Sequence, residues 1–149
     1  MTPMNPIRHA NLMLELDSLT CTVELKQNMG KNILRNLLLN FPNLMKMYKT
    51  IQSMTLPQAL NSQYLCQLGV KYTDSIVELA RNFNDNEKLT ETIIYLANAH
   101  RHRGITVAHL MAVLPVLTDT VVSYLKSEEN KESMQEILST VLPLIGKRL

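Results

Sequence analysis

The stretch from Leu96 to Ile105 reads Leu-Ala-Asn-Ala-His-Arg-His-Arg-Gly-Ile and concentrates the candidate chemistry of the chain. Leu89, Ile93 and Leu96 keep the three-and-four spacing of an amphipathic helix, and His100 continues their apolar stripe. Arg101, His102 and Arg103 follow, and Gly104 is a helix stop. One imidazole ending an apolar face, with cations beside it, suits a flat, apolar metal cofactor with negative tails. A neutral imidazole ligates through one ring nitrogen while the other donates to a carbonyl one turn back, which fixes the tautomer. A lone histidine on an apolar face also serves as a hydrogen-bonded core residue. A basic helix end likewise suits the helix dipole with no ligand at all. No other catalytic pattern competes: there is no nucleophile–base motif, phosphate loop or recognisable carboxylate pair.

The elements that must position this stretch are helical. Four glycines and six prolines punctuate 149 residues, and no Asn-Gly or Asp-Gly hairpin signal occurs. A first helix is expected over roughly Pro6–Ser18, with Leu12 and Leu16 on one face. A second starts near Thr22 and carries Leu25, Met29, Ile33, Leu37 and Phe41. Gly30 inside it costs about 1 kcal/mol against alanine, so it marks the close approach of another helix. Pro42 ends that helix and opens a short one to Tyr48, and Ile51–Leu60 reads as irregular or one loose turn, broken by Pro57. A long helix follows over Ser62–Asn82, with the stripe Leu65, Leu68, Gly69, Tyr72, Ile76 and Leu79. The helix bearing His100 spans Glu87–His102. Thr106 caps the next, Val107–Lys126, in which Pro115 predicts a bend or accommodation near a turn. Ser127–Asn130 reads as the last loop and Glu132–Lys147 as the last helix, with Ile137, Leu138, Val141 and Ile145 inward.

Length and the absence of internal repeats predict a single domain over residues 1–149, all-α, with seven to eight helices. Hydrophobic residues make up 46% and charged residues 19%, which excludes disorder, and a net charge of +2 argues against a nucleic-acid partner. No run of eighteen apolar residues exists, so no membrane span is expected. There is also no apolar core after Arg8 to make a signal peptide, and the expected compartment is cytoplasmic. Cys21 and Cys66 fit no zinc spacing and are read as unlinked thiols.

At this point the chain resembles a globin. Gly30 followed twelve residues later by Pro42 is similar to the second globin helix and its proline-led successor. Leu68-Gly69-Val70 is similar to the His-Gly-Val of many distal helices, and Leu96–Ile105 to the proximal helix. His-Arg-x-x-Gly-Ile resembles neuroglobin and some invertebrate intracellular globins more than vertebrate myoglobin. The resemblance covers roughly Leu25–Leu125 and implies haem b, with His100 as the proximal iron ligand. It implies that Leu96, Ile105, Leu110 and Val113 line the proximal side, and that Leu68, Leu34 and Tyr72 lie on the distal side. Tyr48 falls where the family has an almost universal phenylalanine, and Ile51 is expected to touch the cofactor. Lys71 and Arg103 are the expected propionate partners. The distal histidine of many globins is replaced by leucine, and the first-helix tryptophan has no counterpart, since the chain contains none.

The resemblance further implies reversible binding of O2, CO and NO. None of His9, His100, His102 and His109 lies on the Ser62–Asn82 helix, so a five-coordinate ferrous iron is expected. Leu34 and Leu68 offer a polar ligand no hydrogen bond, a loss of about 1 kcal/mol that weakens O2 relative to CO. Tyr72 or Tyr48 restores the donor if its hydroxyl turns inward. Otherwise each is an aromatic filler with its hydroxyl at the surface. These residues point toward sensing or redox chemistry more than bulk oxygen storage. Two other readings stand beside this one: a nitrite-reducing or NO-consuming enzyme served by a reductase, and a haem-free all-α interaction module.

Overall fold

Each of the seven α-helices begins on a side chain that accepts a backbone N–H of its first turn. The computed structural model describes residues 1–149. Asn5 opens α1 (Pro6–Leu19) and Thr22 opens α2 (Val23–Asn40). Thr55 opens the short α3 (Leu56–Leu60), and Ser62 opens α4 (Gln63–Arg81). Asp85 opens α5 (Asn86–His102), Thr106 opens α6 (Val107–Val122), and Ser127 opens α7 (Glu128–Gly146). Such caps satisfy donors that have no intrahelical partner, and each is worth about 1 kcal/mol. A 3-10 helix, Pro42–Met47, links α2 to the segment before α3. No strand is present, in agreement with the all-α expectation.

The segment Ile51–Leu60 takes the one-turn alternative as α3, because Thr55 and Gln58 form a reciprocal capping box and Pro57 falls in the first turn, where no N–H is needed. Two boundaries differ from the sequence reading. α6 ends at Val122 rather than near Lys126. α7 starts at Glu128, four residues before Glu132, because Ser127 accepts the Asn130 N–H at 3.2 Å and turns the supposed loop into a first turn. Pro115 and Pro143 both lie within helices that continue past them.

Two apolar clusters hold the helices together. The larger gathers 25 buried residues, mainly from α1, α2, α4, α5, α6 and α7. The smaller gathers seven: Leu34, Leu38, Tyr48, Ile51, Ala59, Leu65 and Leu68. The closest crossing is α2 on α4, where Gly30 meets Gly69. A Cβ on Gly30 would fall on the Gly69 carbonyl, and one on Gly69 would sit 3.1 Å from the Gly30 carbonyl carbon. Gly30 therefore marks a helix contact, as its position in the sequence suggests. Thr73 Oγ1 donates to the Lys26 carbonyl at 2.9 Å and ties the same two helices. Cys21 and Cys66 are both free thiols.

Candidate functional site

The end of α5 positions the central histidine. His100 is half-buried, and its Nδ1 lies 2.6 Å from the Leu96 carbonyl oxygen one turn back. With Nδ1–H donating there, the ring is held in place and Nε2 is left to bind a metal. Arg103 caps the helix, and Gly104, at φ +77°, reverses the chain in the left-handed region that suits glycine. The Ile105 N–H then donates to the His100 carbonyl at 3.1 Å, which returns Ile105 toward the same side.

His100 opens on a largely apolar cleft of about 240 Å³. Of the residues singled out in the sequence, Leu68, Lys71 and Tyr72 of α4 line it. So do Leu96 of α5 and Leu110 and Val113 of α6, together with Tyr48, Arg103 and Ile105 from the connections. Leu34 and Ile51 lie outside it. Both are buried in the smaller cluster with Tyr48 and Leu68, and so back the wall instead of forming it. Of the basic residues after His100, only Arg103 reaches the cleft lining, while Arg101 donates to Asn98 Oδ1 at 2.8 Å on the exposed side.

Other lining residues were not singled out. Leu37, Ile76, Leu79 and Ile145 sit on stripes that read as ordinary core, and Leu117 lies one turn beyond Val113. Leu44, Leu142, Ser75, Ala99 and the exposed Tyr95 carry no periodic signal of their own. His109 also lines the cleft, and its Nδ1 accepts the Thr106 N–H at 3.1 Å as the acceptor of the α6 capping box. Thr-x-x-His at a helix start was the available signal.

On the same cleft, Tyr48 and Tyr72 hydrogen-bond to each other through their hydroxyls. The Arg103 guanidinium carbon stands 4.8 Å from the centre of the Tyr48 ring, a cation–π contact. Burial pushes the Tyr72 phenol well above its ordinary range, and the neighbouring Tyr48 raises it further. Burial also raises Tyr48, but the bond to Tyr72 and the Arg103 charge partly offset it. Both phenols are therefore neutral near pH 7. Neither hydroxyl behaves as surface-directed filler, since the two oxygens meet in one hydrogen bond. No group of three or more His, Cys, Asp or Glu side chains is placed to hold a free metal ion.

A family model described as Globin matches residues 31–145. Comparison with curated proteins finds no match. Among solved structures, ferric Aplysia limacina myoglobin is similar at 14% identity, covering 97% of this chain and 98% of its own, with a TM-score of 0.79. A hexacoordinated haem protein from an anhydrobiotic tardigrade is similar at 12% identity, covering 98% and 95%, with a TM-score of 0.83. The C. elegans globin-like protein GLB-1 shares 19% identity over 98% of this chain and 94% of its own, with a TM-score of 0.75. At these identities the structural likeness speaks for the fold, and the family match over most of the length speaks for descent. This chain belongs to the globin family.

Proposed function

We propose that this globin holds haem b through His100 and binds O2, CO and NO reversibly at an open sixth position. The observation that carries the reading is the His100 ring, fixed at Nδ1 by the Leu96 carbonyl and placed on the wall of an apolar cleft. His109 spends Nδ1 accepting the Thr106 N–H, which puts its proton on Nε2, so His100 alone offers a free ring lone pair to the cleft; one imidazole suits an iron whose equatorial ligands come from a macrocycle. The cleft fits that group: its walls are mostly leucine, isoleucine and valine, and Lys71 and Arg103 supply cations for the propionates. When bound, haem iron supplies the coordination position at which a diatomic gas is held. The protein's own work is to aim His100, exclude water with Leu68, Leu96, Leu110 and Val113, and set the polarity of the far wall with two neutral tyrosines.

The tardigrade relative is described as hexacoordinated. Here α4 brings Leu68 and Tyr72 to the cleft and carries no histidine, which favours a five-coordinate ferrous state. A leucine and a tyrosine pair on that side suit sensing or redox handling of a gas more than bulk storage. We place the activity in the cytoplasm and assign the whole chain, 1–149, as one globin domain.

The test is the visible spectrum of the haem-loaded protein, ferric and ferrous, beside a His100→Ala variant. A strong Soret band, five-coordinate when reduced and lost or weakened in the variant, is the expected result. A six-coordinate ferrous spectrum would refute the open site, and no band at all would retire the haem reading. Catalytic loss of nitrite or NO under a reductant would move the protein to the enzymes.

A further inference from the structure

Tyr48 and Tyr72 carry one hydroxyl hydrogen each, and their oxygens hydrogen-bond to each other and to no other protein group. One of the two hydrogens fills that bond, and the other has no partner in the protein. Both residues line the cleft, so the direction of a single bond decides which of them has a hydroxyl hydrogen free to donate there. The two arrangements are not equivalent, because only Tyr48 has a cation on its ring face, at 4.8 Å from the guanidinium carbon of Arg103. A cation there draws electron density from the phenol. The Tyr48 O–H becomes the better donor, and the Tyr48 oxygen becomes the poorer acceptor, since accepting would put more positive charge beside the guanidinium.

We infer that Tyr48 donates to the Tyr72 oxygen, and that the Tyr72 hydroxyl hydrogen, left free, is the distal donor to a polar ligand in the cleft, with Arg103 setting the direction. Tyr72 is thus a binding residue, and Tyr48 and Arg103 are positioning residues that act through it. Burial and charge agree with this order, holding Tyr72 as the weaker acid of the two. Arg103 also caps α5, and its N–H donates to the His100 carbonyl at 3.1 Å. The residue that orients the far wall is therefore three positions from the histidine on the near one.

The inference rests on the gas-binding reading above, and two measurements separate their fates. The first is the C–O stretching band of the ferrous CO complex in the wild type and in Tyr72→Phe, Tyr48→Phe and Arg103→Leu. Tyr72→Phe should move the band to higher frequency and speed O2 dissociation roughly five- to tenfold, as expected for one lost hydrogen bond. Tyr48→Phe retains a Tyr72 donor and moves the band less. Arg103→Leu should split the band between two bond directions. A larger shift in Tyr48→Phe than in Tyr72→Phe, or an unchanged band in Arg103→Leu, would overturn the inference. The second measurement needs no haem: proton–carbon NMR of the full chain assigns the hydroxyl proton inside the Tyr48–Tyr72 bond. Correlation with Tyr48 ring carbons supports the stated direction, and correlation with Tyr72 ring carbons reverses it. If no Soret band forms, the haem reading fails, and the NMR result still decides the bond.

Discussion

Gly30 and Gly69 face each other backbone to backbone where α2 crosses α4; a methyl on Gly30 would overlap the Gly69 carbonyl, while one on Gly69 would press tightly on the α2 backbone. The contact sets the height of α4, and with it the placement of Leu68 and Tyr72 on the cleft. Gly30→Ala meets the Gly69 carbonyl head-on, so a loss of about 3 kcal/mol or more is expected, the upper end of overpacking costs. Gly69→Ala has 3.1–3.3 Å to its nearest backbone neighbours and should cost less, about 1–2 kcal/mol. Urea unfolding of the two variants checks the order. Equal, small losses would mean that the helices separate freely.

Gly104 adopts φ +77°, so a side chain there is strained even though nothing crowds it. Gly104→Ala should cost about 1–2 kcal/mol through the backbone alone. The same strain pulls on the Ile105 N–H to His100 carbonyl bond, so the variant should release haem faster. An unchanged melting temperature and haem-release rate would contradict this.

The phenols of Tyr48 and Tyr72 are both raised by burial above the usual value near 10. Their neutral forms are favoured in the folded state, so their contribution to stability is whole below about pH 10 and is lost as pH rises through the raised values. Alkaline titration followed by tyrosinate absorbance should therefore show a late component that coincides with unfolding. In Tyr72→Phe that component should shrink, and its persistence at full amplitude would refute the assignment.

Glu15 provides the opposite limb. Burial works to raise its carboxyl, but the Asn130 amide at 2.8 Å and the Lys126 N–H at 2.7 Å outweigh it, and the net shift is downward from 4.5. The stabilisation is present above that ordinary value and lost as pH falls through the lowered one. The bonds tie α1 to the start of α7, so Glu15→Gln should flatten the acid limb of the stability–pH curve while changing the alkaline limb little. An acid limb as steep as in the wild type would rule Glu15 out as its source.

How far the sequence carried the structure differs from place to place. His100 and its apolar stripe were legible because helical periodicity is local, and Gly30 because a mid-helix glycine costs enough to need a reason. The start of α7 was missed because Ser127 read as loop material, although the same serine is a cap. The single turn of α3 was open in the sequence beside an irregular path, and the Thr55–Gln58 box is what fixes it. Depth was the harder quantity. Leu34 and Ile51 are buried with Tyr48 and Leu68 without lining the cleft, since position along the chain does not state what packs in front. The Tyr48–Tyr72 bond joins residues 24 apart and depends on side-chain direction, which no spacing encodes.

The smaller apolar cluster gives the far wall a foundation of its own. Tyr48 and Leu68 rest on five other buried residues that do not belong to the 25-residue core beneath His100. Local opening follows the number of apolar contacts that must be broken, and a seven-residue cluster breaks before a larger one. The wall that carries Tyr48 and Leu68 is therefore expected to loosen while the larger core stays folded. Amide exchange should report it as two tiers, with the segment from Tyr48 through α3 exchanging well ahead of α6 and α7.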